Sequence, residues 1–239
     1  MDGKGGKARD GDLMSVLEVI DRLEVGPVRV EPRRLVCPYR VVQGDAEDSM
    51  DLIYRYEERV FEPKDVSSAN LATMVGAQLA LNYGLFAREI VVHGPLDRHD
   101  REFLEGMARA TAQEIYVVKF LQENPFLRGD AARLPTVRRE DYMRGEMRFP
   151  DAAEVPLNGP WDTSENGYVV LSSGGKDSLL TYGLLRELGG RAHPVFVTES
   201  GRHWYTALNA YRHFKESYPE TARVWTNADR VFAWMLRHT

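Results

Sequence analysis

Ser173-Gly174-Gly175-Lys176-Asp177-Ser178 gathers the residue types that hold an anion. Glycines let the backbone approach a ligand and take positive φ, and the unpaired N–H groups of a following helix's first turn point at whatever sits there. Ser173 and Ser178 add hydroxyl donors, Lys176 a point charge, and Asp177 either a helix cap or a magnesium ligand. Phosphate suits this set; the plain alternative is a structural glycine turn with a Ser or Asp cap. The spacing is not that of a Walker A loop, which needs GxxxxGK followed by Ser or Thr. Here Lys176 is followed by Asp177, and Val170 stands where that loop's first Gly belongs. GxGxxG is absent as well.

Placed after the apolar run Tyr168-Val169-Val170-Leu171-Ser172, SGGKDS resembles the PP-loop signature SGGxDS of the ATP pyrophosphatase superfamily. The resemblance covers six positions of the chain. It implies a HUP-like α/β fold that binds ATP with Mg2+, cleaves it between the α and β phosphates and adenylates a substrate oxygen before a nucleophile displaces AMP. Carried over position by position, it implies ATP contacts from Ser173, Gly174, Gly175, Lys176, Asp177 and Ser178, catalytic roles for Lys176 and Asp177, and the metal at Asp177. In that family the end of the second strand lies near adenosine, which adds Thr198 and Glu199. The oxygen made reactive belongs to a carboxylate, an amide or a ureido group. A sheet-containing region ahead of a GGKDS loop is also similar in layout to the ATP-dependent enzymes that epimerise the glutamate of a cell-wall precursor peptide, although the loop here reads SGG rather than GGG.

Composition narrows the classes. With 239 residues, 43% hydrophobic and 28% charged, the chain has the make-up of a globular protein of one large or two small domains. No apolar run approaches the ~20 residues that cross a bilayer. Met1 to Lys7 lacks the apolar core of a signal peptide, so a cytoplasmic location and no membrane partner are expected. A single cysteine, Cys37 in an apolar segment, reads as an inert buried thiol and disfavours sulfur transfer. A net charge of −5 offers no broad basic surface, so a small-molecule or peptide-like substrate is favoured over nucleic acid. Two other readings stay open: a tRNA- or sulfur-modifying relative, and a non-catalytic ATP-binding module that regulates a partner. His93 and His99 flank a turn without a third ligand and read as structural, as do Arg202, His203 and Trp204 at a helix start.

The elements that must position the loop follow from periodicity. Residues 1–12 read as a disordered tail and 13–120 as an α+β domain: a helix over Leu13–Leu23, strands over 27–30, 34–42 and 51–58 in a small antiparallel sheet, and a helix over 69–83 capped by Ser67-Ser68. A strand over Glu89–Val92, a helix over 99–112 and a strand over Glu114–Val118 complete it. Residues 121–166 read as a linker. Residues 167–239 alternate strand and helix three times, which predicts a doubly wound parallel sheet whose loop, Thr198-Glu199-Ser200-Gly201 and Asn227-Ala228-Asp229 meet at the carboxyl ends of the strands. Such sheets in PP-loop proteins have about five strands, so part of the fold and of the substrate pocket is expected beyond Thr239.

Overall fold

The computed structural model describes residues 14–122, 124–136, 138–159 and 163–239; the expected tail lies outside them. The chain runs β1 (Ile20–Val25), β2 (Arg29–Glu31), β3 (Arg34–Gln43), β4 (Ala46–Tyr56), α1 (Val66–Ala77), β5 (Ala87–Val92) and α2 (Arg98–Lys119). It continues through β6 (Glu146–Arg148), β7 (Gly167–Ser172), α3 (Lys176–Glu187), β8 (Arg191–Thr198), α4 (Gly201–Ser217), β9 (Ala222–Thr226) and α5 (Ala228–Met235). Together these form a mixed α/β structure on one nine-stranded sheet, ordered β6-β5-β1-β3-β4-β9-β8-β7 with β2 beside β3. Both wings are parallel, β6-β5-β1 and β9-β8-β7, and the centre is antiparallel. The join is β4 against β9, where Tyr54, Arg55 and Tyr56 face Thr226, Trp225 and Val224.

Local expectations fail at three places, each for a tertiary reason. The helix expected over Leu13–Leu23 is a short 3-10 turn, Met14–Leu17, followed by strand β1, because Ile20, Leu23 and Val25 are buried between β3 and β5. The strand expected over Glu114–Val118 is the last part of α2. Leu104, Ala108, Ala112 and Tyr116 form a buried stripe at four-residue spacing, and this period continues through the β-branched run. Asp65 caps α1 by accepting from Ser68 N–H at 2.8 Å, in place of Ser67-Ser68, and the helix tightens into a 3-10 segment from Gln78 to Tyr83. Within the expected linker, β6 adds an edge strand parallel to β5.

The two halves of the sheet are covered on opposite faces. Leu35, Cys37, Tyr39, Leu23 and Ile90 share the face on which α1, α2 and α5 build the main core, with Ala77, Leu104, Ala108, Trp234 and Met235. On the other face of that half, Arg22, Glu24, Arg40, Glu47, Glu89 and Arg148 form ion pairs, among them Arg22–Glu24 at 2.9 Å and Arg148–Glu89 at 2.8 Å. In the β7-β8-β9 wing the strands are laid down in one direction, so two crossovers of one hand bring α3 and α4 to this second face. There Val170, Ala192 and Phe196 pack against Tyr182, Phe214 and Tyr218. The reverse side of the wing leaves Val169 67% and Leu171 65% exposed.

Candidate functional site

Strand alternation sets up the glycine loop. Val170 and Ser172 are buried toward the helices while Val169 and Leu171 face outward. Ser172 thus ends β7 with its hydroxyl under the turn, where Gly174 N–H donates to it at 3.1 Å and Ser178 Oγ lies 2.9 Å away. Ser178 donates to the Gly175 carbonyl at 3.0 Å. Each hydroxyl has one proton, so Ser172 donates to Ser178 and the chain of bonds runs in one direction, bracing the loop from below. Ser172 was not among the expected site residues; its only sequence signal was a small polar residue closing an apolar strand.

The two glycines do different things. Gly174 has φ of +80°, and a Cβ there would lie 2.8 Å from Ala207 Cα, so both backbone conformation and contact with α4 exclude a side chain. Gly175 is extended, with φ −79° and ψ 159°, and a Cβ there would meet nothing closer than Ser173 Oγ at 3.7 Å. The room above Gly175 is therefore open, and it lies at the N-terminus of α3. Asp65, Asp97 and Ser200 cap α1, α2 and α4 with side-chain oxygens, but no side chain caps α3. Its first-turn N–H groups keep their donor capacity, beside the positive end of the helix dipole.

Ser173, Lys176 and Asp177 are all exposed around this opening. Among the described residues neither Lys176 nor Asp177 is held in an ion pair, so both side chains are free to reach a ligand. Asp177 stands without a cluster: no group of three or more His, Cys, Asp or Glu among the described residues is arranged to hold a metal. Asp177 is the carboxylate at the opening that could offer a ligand to a magnesium ion.

Because β7, β8 and β9 are parallel, the loop, Thr198-Glu199-Ser200-Gly201 and Asn227-Ala228-Asp229 do lie at the same end of the sheet. Their side chains do not all turn to one point. Thr198 is buried and its hydroxyl accepts from Arg223 Nε at 3.1 Å. Glu199 is exposed and close enough to Tyr54 for its charge to add to burial in raising that phenol above its ordinary value. Ser200 caps α4, accepting from His203 N–H at 3.4 Å. Asn227 is buried and turned to β4, where it donates to Asp51 O at 2.9 Å and accepts from Ile53 N–H at 2.7 Å.

Comparison with known proteins returns no matching family model, no matching curated protein and no matching solved structure. Among the described residues no helix is long and apolar enough to cross a membrane. Away from the loop, Cys37 is buried against α1, and burial pushes its thiol up to about 12. His93 Nδ1 lies 3.5 Å from Asp151, and His99 sits in the capping turn of α2. Trp204, expected as a core residue, stacks on the Arg223 guanidinium at 3.6 Å. Arg223, Trp225 and Arg55 carried no sequence signal, since two of them come from β9 and the third from a strand far away in the chain.

Proposed function

We propose that this chain is an ATP-binding enzyme of PP-loop type that cleaves ATP to AMP and pyrophosphate and adenylates a carboxylate or amide of a small or peptide-like substrate. The finer form of the fold, a doubly wound PP-loop domain with HUP-like topology, belongs to the same proposal. One observation carries it: the open space over Gly175 lies at the uncapped N-terminus of α3, in a chain whose motif offers Lys176, Ser173 and Asp177 around it. Such an arrangement suits an oxyanion, because preorganised N–H donors are aimed where negative charge collects.

In this reading the backbone N–H groups of Lys176, Asp177 and Ser178, the Ser173 hydroxyl and the Lys176 ammonium hold phosphate oxygens. The substrate oxygen attacks the α phosphorus, a new P–O bond forms, and the bond to the bridging oxygen breaks with its electron pair leaving on pyrophosphate. Lys176 and the helix N-terminus stabilise that leaving charge. Magnesium, shared by Asp177 and the phosphates, would supply Lewis-acid neutralisation. Ser178 and Ser172 serve by keeping the loop in shape, since their hydroxyls are engaged with each other and with the loop backbone.

The test is ATP–pyrophosphate exchange with Mg2+, using pools of amino acids, carboxylic acids and tRNA, with Lys176→Ala and Asp177→Ala alongside. Exchange that depends on an acid or amide pool and falls at least about tenfold in both variants supports the proposal. Dependence on tRNA would assign a nucleic-acid substrate. ATP binding without exchange in any pool would leave a regulatory nucleotide module, and no ATP binding refutes the reading altogether.

A further inference from the structure

On the same face of the sheet as α3 and α4, Arg55, Glu57, Arg223 and Trp225 line a groove of ≈ 330 Å³ where β4 joins β9. This is near the lower end of the range of about 300–1,000 Å³ for small-molecule sites. Register explains the grouping: Arg55 is opposite Trp225, and Glu57 N–H donates to Arg223 O at 3.2 Å, so all four side chains project from one face. The Arg55 guanidinium lies 5.2 Å from the Trp225 ring centre, and that of Arg223 lies 3.6 Å from Trp204.

A guanidinium over an indole uses its face and leaves the N–H groups on its rim free. Arg223 spends Nε on Thr198, which keeps its terminal nitrogens available and ties the groove to the carboxyl end of β8. Among the described residues neither Arg55 nor Arg223 is paired with a carboxylate. The carboxylate in the groove, Glu57, accepts from Tyr211 on Oε1 at 2.5 Å, while Lys215 Nζ lies 3.5 Å from Oε2, which is buried without a hydrogen bond. Arg55 and Arg223 thus both line this groove with terminal N–H groups not committed to a carboxylate among the described residues.

We infer that this groove binds a carboxylate of the second substrate, held by the terminal N–H groups of Arg55 and Arg223. Calling the ligand a substrate rests on the adenylation reading; the anion chemistry of the groove does not. A carboxylate is planar like the guanidinium and can accept two parallel hydrogen bonds from one fork. The inference also gives the N-terminal half a role: β4 supplies Arg55 to a site otherwise built by β8, α4 and β9.

The test uses the full chain without ATP. Tryptophan emission is followed during titration with succinate, and separately with inorganic phosphate, at constant ionic strength. Succinate is expected to give a saturable change that weakens by about tenfold or more in Arg55→Gln, the size of one lost charge-assisted hydrogen bond. Arg55 is exposed, so this variant keeps its fold, checked by far-ultraviolet circular dichroism. Trp225→Phe is expected to remove most of the signal.

No saturable response to succinate, or Arg55→Gln titrating like the parent, overturns the inference. Phosphate binding more tightly than succinate through the same arginines overturns the carboxylate assignment. Because the titration contains no nucleotide, the two readings fail separately. Loss of ATP binding with succinate binding intact sinks adenylation and leaves the anion site standing; the converse sinks the anion site alone.

Discussion

Replacing Gly174 and Gly175 in turn by alanine separates the architecture of the loop from its proposed use. At Gly174 the methyl group meets two obstacles: φ of +80°, which costs an L-residue about 1–2 kcal/mol, and Ala207 Cα at 2.8 Å. Relief of that contact requires α4 or the loop backbone to move, and overpacking of this kind costs about 1–3 kcal/mol. Gly174→Ala is therefore expected to lose about 2–5 kcal/mol in urea unfolding. At Gly175 the backbone is already in a region open to alanine, and the nearest atom is 3.7 Å away. The entropy gained by stiffening the unfolded chain, about 0.4–1 kcal/mol, is offset by the poorer capping of Ala at an N-cap position. Gly175→Ala should thus stay within about 1 kcal/mol of the parent, while its methyl group fills the opening over the α3 N-terminus and weakens ATP binding by about tenfold or more. Equilibrium unfolding and ATP titration on both proteins give the four numbers needed. Unimpaired ATP binding by Gly175→Ala refutes the cradle, and parent-like stability of Gly174→Ala refutes the conformational reasoning.

Asn227→Ala removes two hydrogen bonds to β4 main chain at a buried position and leaves Ile53 N–H and Asp51 O without them, so a loss of about 2–3 kcal/mol is expected in urea unfolding. Leu171→Thr on the bare side of the β7 wing should change stability by no more than about 0.5 kcal/mol, whereas Val170→Ala, one residue earlier and buried, should cost about 2 kcal/mol. The Cys37 thiol, raised by burial from 9.0 to about 12, favours the folded state fully below pH 9; that contribution declines as pH rises from 9 to 12, because the unfolded chain ionises first. Unfolding free energy measured across that window should fall less steeply in Cys37→Ala, and a thiol reagent at pH 8 should label the parent only once urea has unfolded it.

Much of the fold was legible where one local rule acted alone. The β7 to α5 stretch alternates apolar runs, Gly189 with φ of +79° and capping residues such as Ser200, and its elements appear at the expected places. Legibility failed where two rules competed. Glu114-Ile115-Tyr116-Val117-Val118 has strand propensity, but Tyr116 continues the buried stripe of Ala108 and Ala112, and burying that stripe outweighs β-branched preference. Residues 20–23 fit a helical spacing from the sequence, yet they become part of an interior strand because β3 and β5 supply hydrogen-bonding edges on both sides.

The candidate site divides along the same line. Ser173 to Ser178 could be recognised because the turn between a strand and a helix is local: glycine conformation, N–H exposure and side-chain type all follow from adjacent residues. The sequence by itself determined that a glycine turn bearing Ser, Lys and Asp stands between a strand and a helix. Only the tertiary structure decided that Gly174 must remain bare against Ala207, that Ser172 braces the loop, and that Arg55 meets Trp225 across 170 positions of chain. Strand pairing is made by backbone groups common to all residues, so the choice of β9 as the partner of β4 leaves no local mark. The pairing of β4 with β9 is a property of the assembled sheet alone.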